Sequence, residues 1–186
     1  MLALIVGSLA PALRAEPDEP SAPHDGGPYV PTPDAVVQVM LNLAKVGKDD
    51  RVYDLGSGDG RLVIEAARRF GALGFGVERD GALVERARRD AAAAGVGDRV
   101  YFTQGDIFET NLRQATVVTL YLLPQLLVHL APKLRAELAA GARVVSHDFP
   151  LPGWDPDNQV DFDSPEKEER LGNGFTRIFL YRVPQR

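Results

Sequence analysis

The sequence predicts an α/β fold, a Rossmann-like doubly wound and mostly parallel sheet with a C-terminal antiparallel hairpin. Three observations carry this expectation. From about residue 34, apolar segments alternate between helical and strand periodicity, the pattern that covers a parallel sheet on both faces. A glycine-rich turn, LGSGDGR, joins the first strand to the next helix. After residue 146 the alternation gives way to two strand-like runs, VDF and GFTRIFLYRV. With 186 residues the chain can build one domain with a full core, and is too short for two ordinary ones side by side.

The first 15 residues, MLALIVGSLAPALRA, form an apolar segment, residues 16–28 a Pro- and acid-rich linker, and residues 29–186 the folded domain. The apolar run and the small residue Ala15 suit an export signal, but no Lys or Arg precedes the run, and it is too short to span a bilayer. Signal, anchor and unstructured start all stay open.

Asp34 is expected to cap a helix with Val36, Val37, Met40, Leu41 and Leu43 on its apolar face, ending near Gly47. Strand Arg51–Leu55 and helix Arg61–Phe70 follow, then strand Leu73–Glu78, whose glycines predict close packing. A helix over 81–94 stops at Gly95; residues 100–103 and the β-branched run 116–121 are the third and fourth strands. Helix 126–138 should kink or restart at Pro132, and 142–146 is strand five. The Pro-rich loop 150–156 leaves no room for a helix before the terminal hairpin. The tract SPEKEER reads as a solvated loop or helix face.

Hydrophobic residues at 45% and charged residues at 25% place the chain among soluble globular proteins. A net charge of -5 gives no general attraction to phosphate backbones, so no nucleic-acid partner is expected. The absence of cysteine excludes disulfides, thiolate metal sites and a cysteine nucleophile. His24, His129 and His147 are far apart, so no metal site is expected.

The turn reads G-x-G-x-G through Gly56, Gly58 and Gly60, and Arg61 stands where a dinucleotide fingerprint needs its third glycine. Asp54 and Asp59 would also repel a pyrophosphate placed there. S-adenosyl-L-methionine suits the turn better, because its ammonium, carboxylate and sulfonium can meet a carboxylate and bare backbone at a helix N-terminus. Asp54 is assigned to the ammonium, with Gly56, Ser57, Gly58 and Gly60 as the backbone cradle. Glu78 ends the second strand, one βαβ unit downstream, and should accept hydrogen bonds from both ribose hydroxyls. Asp106, in QGDIF, can accept from the adenine amino group while Ile107 and Phe108 pack on the ring.

VYDLGSGDGR resembles motif I of the class I, or seven-β-strand, S-adenosylmethionine-dependent methyltransferases. PYVPTP, LGSGDGR, LYLLP, LRAELAAGARVVS and FPLPGW together are similar to the lysine N-methyltransferase family that contains the mitochondrial enzymes modifying ATP synthase subunit c and the adenine nucleotide translocase. The resemblance covers roughly residues 28–155, and the C-terminal part matches less well. It implies a protein-lysine substrate; a small-molecule acceptor and a non-catalytic nucleoside-binding module are the alternatives.

Methyl transfer from a sulfonium asks the protein to align acceptor and methyl and to exclude water. Tyr29, Tyr121 and Asp148 are the catalytic candidates, with Trp154 as a further aromatic. Tyr29 lies in a stiff proline-flanked segment that could cover the cofactor, and Tyr121 ends strand four, where many amine methyltransferases carry an acidic or amide residue before Pro-Pro. That tetrapeptide is absent, which counts against DNA-adenine and glutamine methylation. His147 and Asp148 could act as a base and its orienting partner. The domain is expected on the cytoplasmic side, where the methyl donor is made; peripheral membrane association through the N-terminus and export both stay open.

Overall fold

A computed structural model describes residues 29–184; the apolar N-terminal segment, the linker and His24 lie outside the described residues. The elements are α1 (Asp34–Leu43), β1 (Arg51–Leu55), α2 (Arg61–Phe70), β2 (Leu73–Glu78), α3 (Gly81–Ala93), β3 (Val100–Gln104), β4 (Val117–Leu120), α4 (Pro124–Glu137), β5 (Arg143–His147), β6 (Asn158–Asp163), α5 (Pro165–Leu171) and β7 (Phe175–Arg182). One sheet runs in the order β3-β2-β1-β4-β5-β7-β6. β1 pairs parallel with β2 and β4, β2 with β3, and β4 with β5, while β7 is antiparallel to β5 and β6.

Strand pleating sorts β1 between two apolar layers. Val52 packs with the residues of α1, α2 and α3, whereas Tyr53 and Leu55 pack with Leu126, Leu127, Leu130 and Leu134 of α4. Burying these layers supplies the main drive for folding. It also delivers the C-terminal ends of five parallel strands to one side of the molecule, where the strand order reverses between β1 and β4.

The structure departs from the sequence reading at four points. Pro33, not Asp34, occupies the N-cap of α1 and makes no side-chain cap bond; Asp34 is already helical, with its N–H donated to Glu166 Oε2 at 2.9 Å. That helix ends at Leu43, before Gly47. Pro132 lies inside a continuous α4. The proline removes the donor that would bond the Val128 carbonyl, but Val128 is 53% exposed, so water can serve that oxygen. The terminal strands are antiparallel as expected, yet they are joined through α5, and it is β7 that lies against β5.

Leu130 is fully buried at the centre of the α4 layer. Leu130→Ala should lower stability by about 2–5 kcal/mol through lost apolar contact and a residual cavity. Urea unfolding will show this as a lower midpoint with an unchanged slope.

Candidate active site

The strand ends frame a crevice of about 800 Å³. At its floor Asp54 is 3% exposed and faces the α1–α3 side of β1. Its Oδ1 accepts the Thr119 hydroxyl at 2.7 Å. Burial pushes the Asp54 carboxyl up to about 7; the Thr119 bond opposes the rise, and the charges of Asp59 and Glu78 add to it. A carboxyl so buried gains from a cationic partner.

The turn after β1 is tied to β2, since the N–H groups of Gly56 and Ser57 both donate to the Val77 carbonyl, at 2.9 and 3.0 Å. Gly58 has φ +54, and a Cβ there would sit 2.3 Å from a ring carbon of Tyr29. Gly60 caps α2 at φ +80, where a Cβ would fall 2.5 Å from the Phe102 ring. Only glycine meets both demands. Ser57 Oγ is buried beside the crevice with no hydrogen-bond partner among the described residues, so it is available to a ligand.

Glu78 Oε2 accepts the Gly58 N–H at 2.9 Å and Oε1 the Asp80 N–H at 3.0 Å. Each oxygen keeps a lone pair for a ribose hydroxyl, but Glu78 is also the brace between turn and β2, a role its spacing did not reveal. Asp106 is exposed at the crevice, its Oδ1 accepting the Phe108 N–H at 2.8 Å, and Ile107 and Phe108 line the wall beside it. A buried carboxylate, bare backbone, an orphan hydroxyl, a second carboxylate and an apolar wall suit an amino-acid-bearing nucleoside.

Asp59 is not the free charge that the sequence suggests. Arg61 grips it through Nε at 2.9 Å and Nη2 at 2.7 Å, and Arg86 lies 3.4 Å away. Burial opposes its charge, yet the Arg61 bonds outweigh it and hold the carboxyl below the usual range. Its charge is therefore cancelled locally, and the repulsion of a pyrophosphate expected from it does not arise.

The Tyr29 phenol is hydrogen-bonded to Asp59, and burial together with that contact pushes it up to about 12. Arg61 Nη1 also donates to the Thr32 carbonyl at 2.8 Å, so one guanidinium latches the segment from Tyr29 to Pro33 over the turn. Tyr121 lines the opposite wall. Its ring stacks on His147 at 3.9 Å, and its hydroxyl donates to Asp148 Oδ2 at 3.4 Å. Burial, then the Asp148 charge, pushes this phenol up to about 12.

His147 Nε2 lies 3.5 Å from Asp148 Oδ1, the two residues read as a possible base and orienting partner, but no hydrogen bond joins them. His147 is wholly buried, both ring nitrogens lack hydrogen-bond partners among the described residues, and burial pulls its pKa down to about 4. Asp148 lies behind Tyr121 and is absent from the crevice wall; its Oδ2 accepts Lys167 Nζ at 2.7 Å. Lys167, from the tract read as solvated, is therefore buried and paired. Nothing local in SPEKEER marks it. Trp154 is placed elsewhere, with the Arg135 guanidinium 4.5 Å over its ring and Tyr181 at its edge.

Comparison with known proteins agrees with this geometry. The model of the ANTKMT methyltransferase domain matches residues 54–158. A protein-lysine N-methyltransferase of Saccharolobus islandicus is 42% identical over 157 residues, covering 84% of this chain and 93% of its own. The adenine nucleotide translocase lysine N-methyltransferase of Mus musculus is 37% identical, over 84% of this chain and 63% of its own. Among solved structures, an RNA methyltransferase from Salinibacter ruber in complex with S-adenosyl-L-homocysteine is 50% identical with a TM-score of 0.77, covering 84% of this chain and 95% of that one.

Two outcomes follow for S-adenosyl-L-homocysteine binding measured by calorimetry. Glu78→Ala should weaken it by roughly 2–4 kcal/mol, because charge-assisted bonds are lost from a partly buried site; unchanged affinity would remove Glu78 from the site. The second concerns pH. Asp54 titrates near 7 in the folded chain and near 3.8 when exposed, so the stability it contributes is greatest in acid and is lost as pH rises through 7. A ligand ammonium needs the charged form, so affinity should move the other way, falling up to about ten-fold per pH unit below 7. Asp54→Asn should flatten that dependence, and a dependence that persisted in the variant would assign it to another group.

Proposed function

The chain belongs to the ANTKMT methyltransferase domain family and is an S-adenosylmethionine-dependent methyltransferase, and from that premise we propose that its acceptor is the side-chain amine of a protein lysine. The likeness to the Saccharolobus protein-lysine enzyme, over most of both chains, is the observation that carries this reading. The crevice suits it. Its acceptor wall offers the Tyr121 phenol, while Asp148 and Asp59 are already paired with cations.

In this reading Asp54 meets the cofactor ammonium, Ser57 and the turn backbone its amino-acid end, Glu78 the ribose, and Asp106 with Ile107 the adenine. S-adenosylmethionine, when bound, supplies a methyl already activated on a sulfonium, so the protein needs no nucleophile of its own. Tyr29 and the segment latched by Arg61 cover the turn and exclude water from it. Tyr121, kept protonated by its high pKa, donates to Asp148 and retains lone pairs that can accept from an incoming amine N–H. The carboxylate bonded to it, Asp148, is already paired with Lys167, so that group does not favour a charged acceptor.

An RNA acceptor is the second reading, because the Salinibacter relative is named an RNA methyltransferase. The net charge of -5 weighs against it. Incubating the chain with methyl-labelled S-adenosylmethionine and a lysate of the source organism decides. Label should resist ribonuclease, disappear from large material on proteolysis, and map by mass spectrometry to a lysine Nε. Ribonuclease-sensitive label would establish RNA instead, and label in the small-molecule filtrate would overturn the protein substrate.

A further inference from the structure

The side chains behind Tyr121 form a cluster that cofactor binding leaves unused. Lys167 sits in α5, whose start is held by Ser164 Oγ accepting the Lys167 N–H at 3.3 Å. Its ammonium is buried, a costly placement unless it is paired and hydrogen-bonded. Nζ donates to Asp148 Oδ2 at 2.7 Å and to the Phe175 carbonyl. Asp148 itself has φ +61, a left-handed conformation unusual for a residue with a side chain. It persists because its N–H donates to the Arg177 carbonyl at 2.7 Å, and its Oδ1 accepts the Arg177 N–H at 3.3 Å. Strained residues fixed this firmly cluster where a function needs them. The same Oδ2 that holds Lys167 accepts the hydroxyl of Tyr121, the one member of the cluster that reaches the crevice.

We propose that Lys167 is a positioning residue for the methyl acceptor, acting through Asp148 to fix the Tyr121 hydroxyl in the crevice wall. The inference rests on reading that wall as the acceptor side. The arrangement has a chemical logic beyond anchoring α5. Paired with Lys167, Asp148 can accept from the phenol without offering a free charge to a substrate ammonium. Without Lys167, Asp148 becomes a poorly compensated, half-buried anion, and Oδ2, the acceptor of the Tyr121 hydroxyl, loses the bond that fixes its position and with it the angle of the ring against His147.

The test uses the full chain and the variants Lys167→Met, Lys167→Arg and Asp148→Asn. Three histidines make the imidazole proton spectrum assignable, and the His147 signals carry the ring-current shift of Tyr121 stacked on it. In Lys167→Met those signals should move toward unstacked values. S-adenosyl-L-homocysteine affinity should stay within about two-fold of wild type, because the cofactor residues lie on other strands. Methyl transfer to lysate protein at saturating donor should fall about ten-fold, the scale of a misplaced orienting group. Lys167→Arg should recover most of the rate. Should Lys167→Met not fold, Asp148→Asn decides by the same two readouts. A wild-type His147 spectrum and rate in the folded variant would overturn the proposal. Wild-type label found on RNA or small molecules would instead overturn the lysine reading, and the His147 spectrum alone would then decide whether Lys167 positions Tyr121.

Discussion

The hydrogen bond from the Gly58 N–H to Glu78 Oε2 joins the turn after β1 to the end of β2, and the rest of the crevice is arranged around it. The turn approaches β2 this closely because its backbone is left-handed at Gly58 and Gly60, with no room for a side chain at either. Tyr29 fills the space over Gly58 and Phe102 of β3 the space over Gly60. One backbone path thereby sets the height of the floor, the position of the covering segment and the packing of a neighbouring strand. Glu78 then carries two duties. Each oxygen steadies the backbone with one lone pair and is left with another for a ligand.

Asp54 shows the opposite balance between stability and function. A buried carboxyl bonded to Thr119 and close to two other acids is a poor component of a core, and its raised pKa measures that. Since the folded chain retains this proton to higher pH than the unfolded chain, ionising Asp54 works against the fold at neutral pH and above. A cation delivered by a ligand removes the conflict. Burial that costs stability in the free protein is then recovered as binding.

Residues whose positions are set by neighbours in sequence were legible from it. The turn, Glu78 and Asp106 could be placed because strand and helix periodicities fix which end of the sheet each one reaches, and those elements are local. What could not be read depends on where long side chains go. Arg61 folds back on Asp59 and cancels it, although both stand in the motif itself. Lys167 lies in a tract of mixed charge that looks solvated, and only the placement of α5 between β6 and β7 brings it to Asp148. Pro132 was expected to kink or restart α4, which runs on through it with Val128, the residue whose carbonyl it leaves without a donor, at the exposed surface. Each miss is a tertiary contact or a solvent contact overriding a local tendency.

The distribution of pairing among the acids gives the crevice a direction. Asp54, Glu78 and Asp106 line it and make no ion pair among the described residues, whereas Asp59 is gripped by Arg61 and Asp148 by Lys167. Negative charge is left unpaired at the ends of β1, β2 and β3, and is paired at the turn by Arg61 and behind Tyr121 by Lys167. His147, buried and with a depressed pKa, adds no charge behind Tyr121. For the proposed lysine acceptor on the Tyr121 side, the adjoining carboxylate Asp148 is already held by Lys167, and desolvation favours the neutral amine. The neutral form alone has the lone pair that can take a methyl group, so the pairing of Asp148 with Lys167 fits the proposed acceptor without a dedicated base.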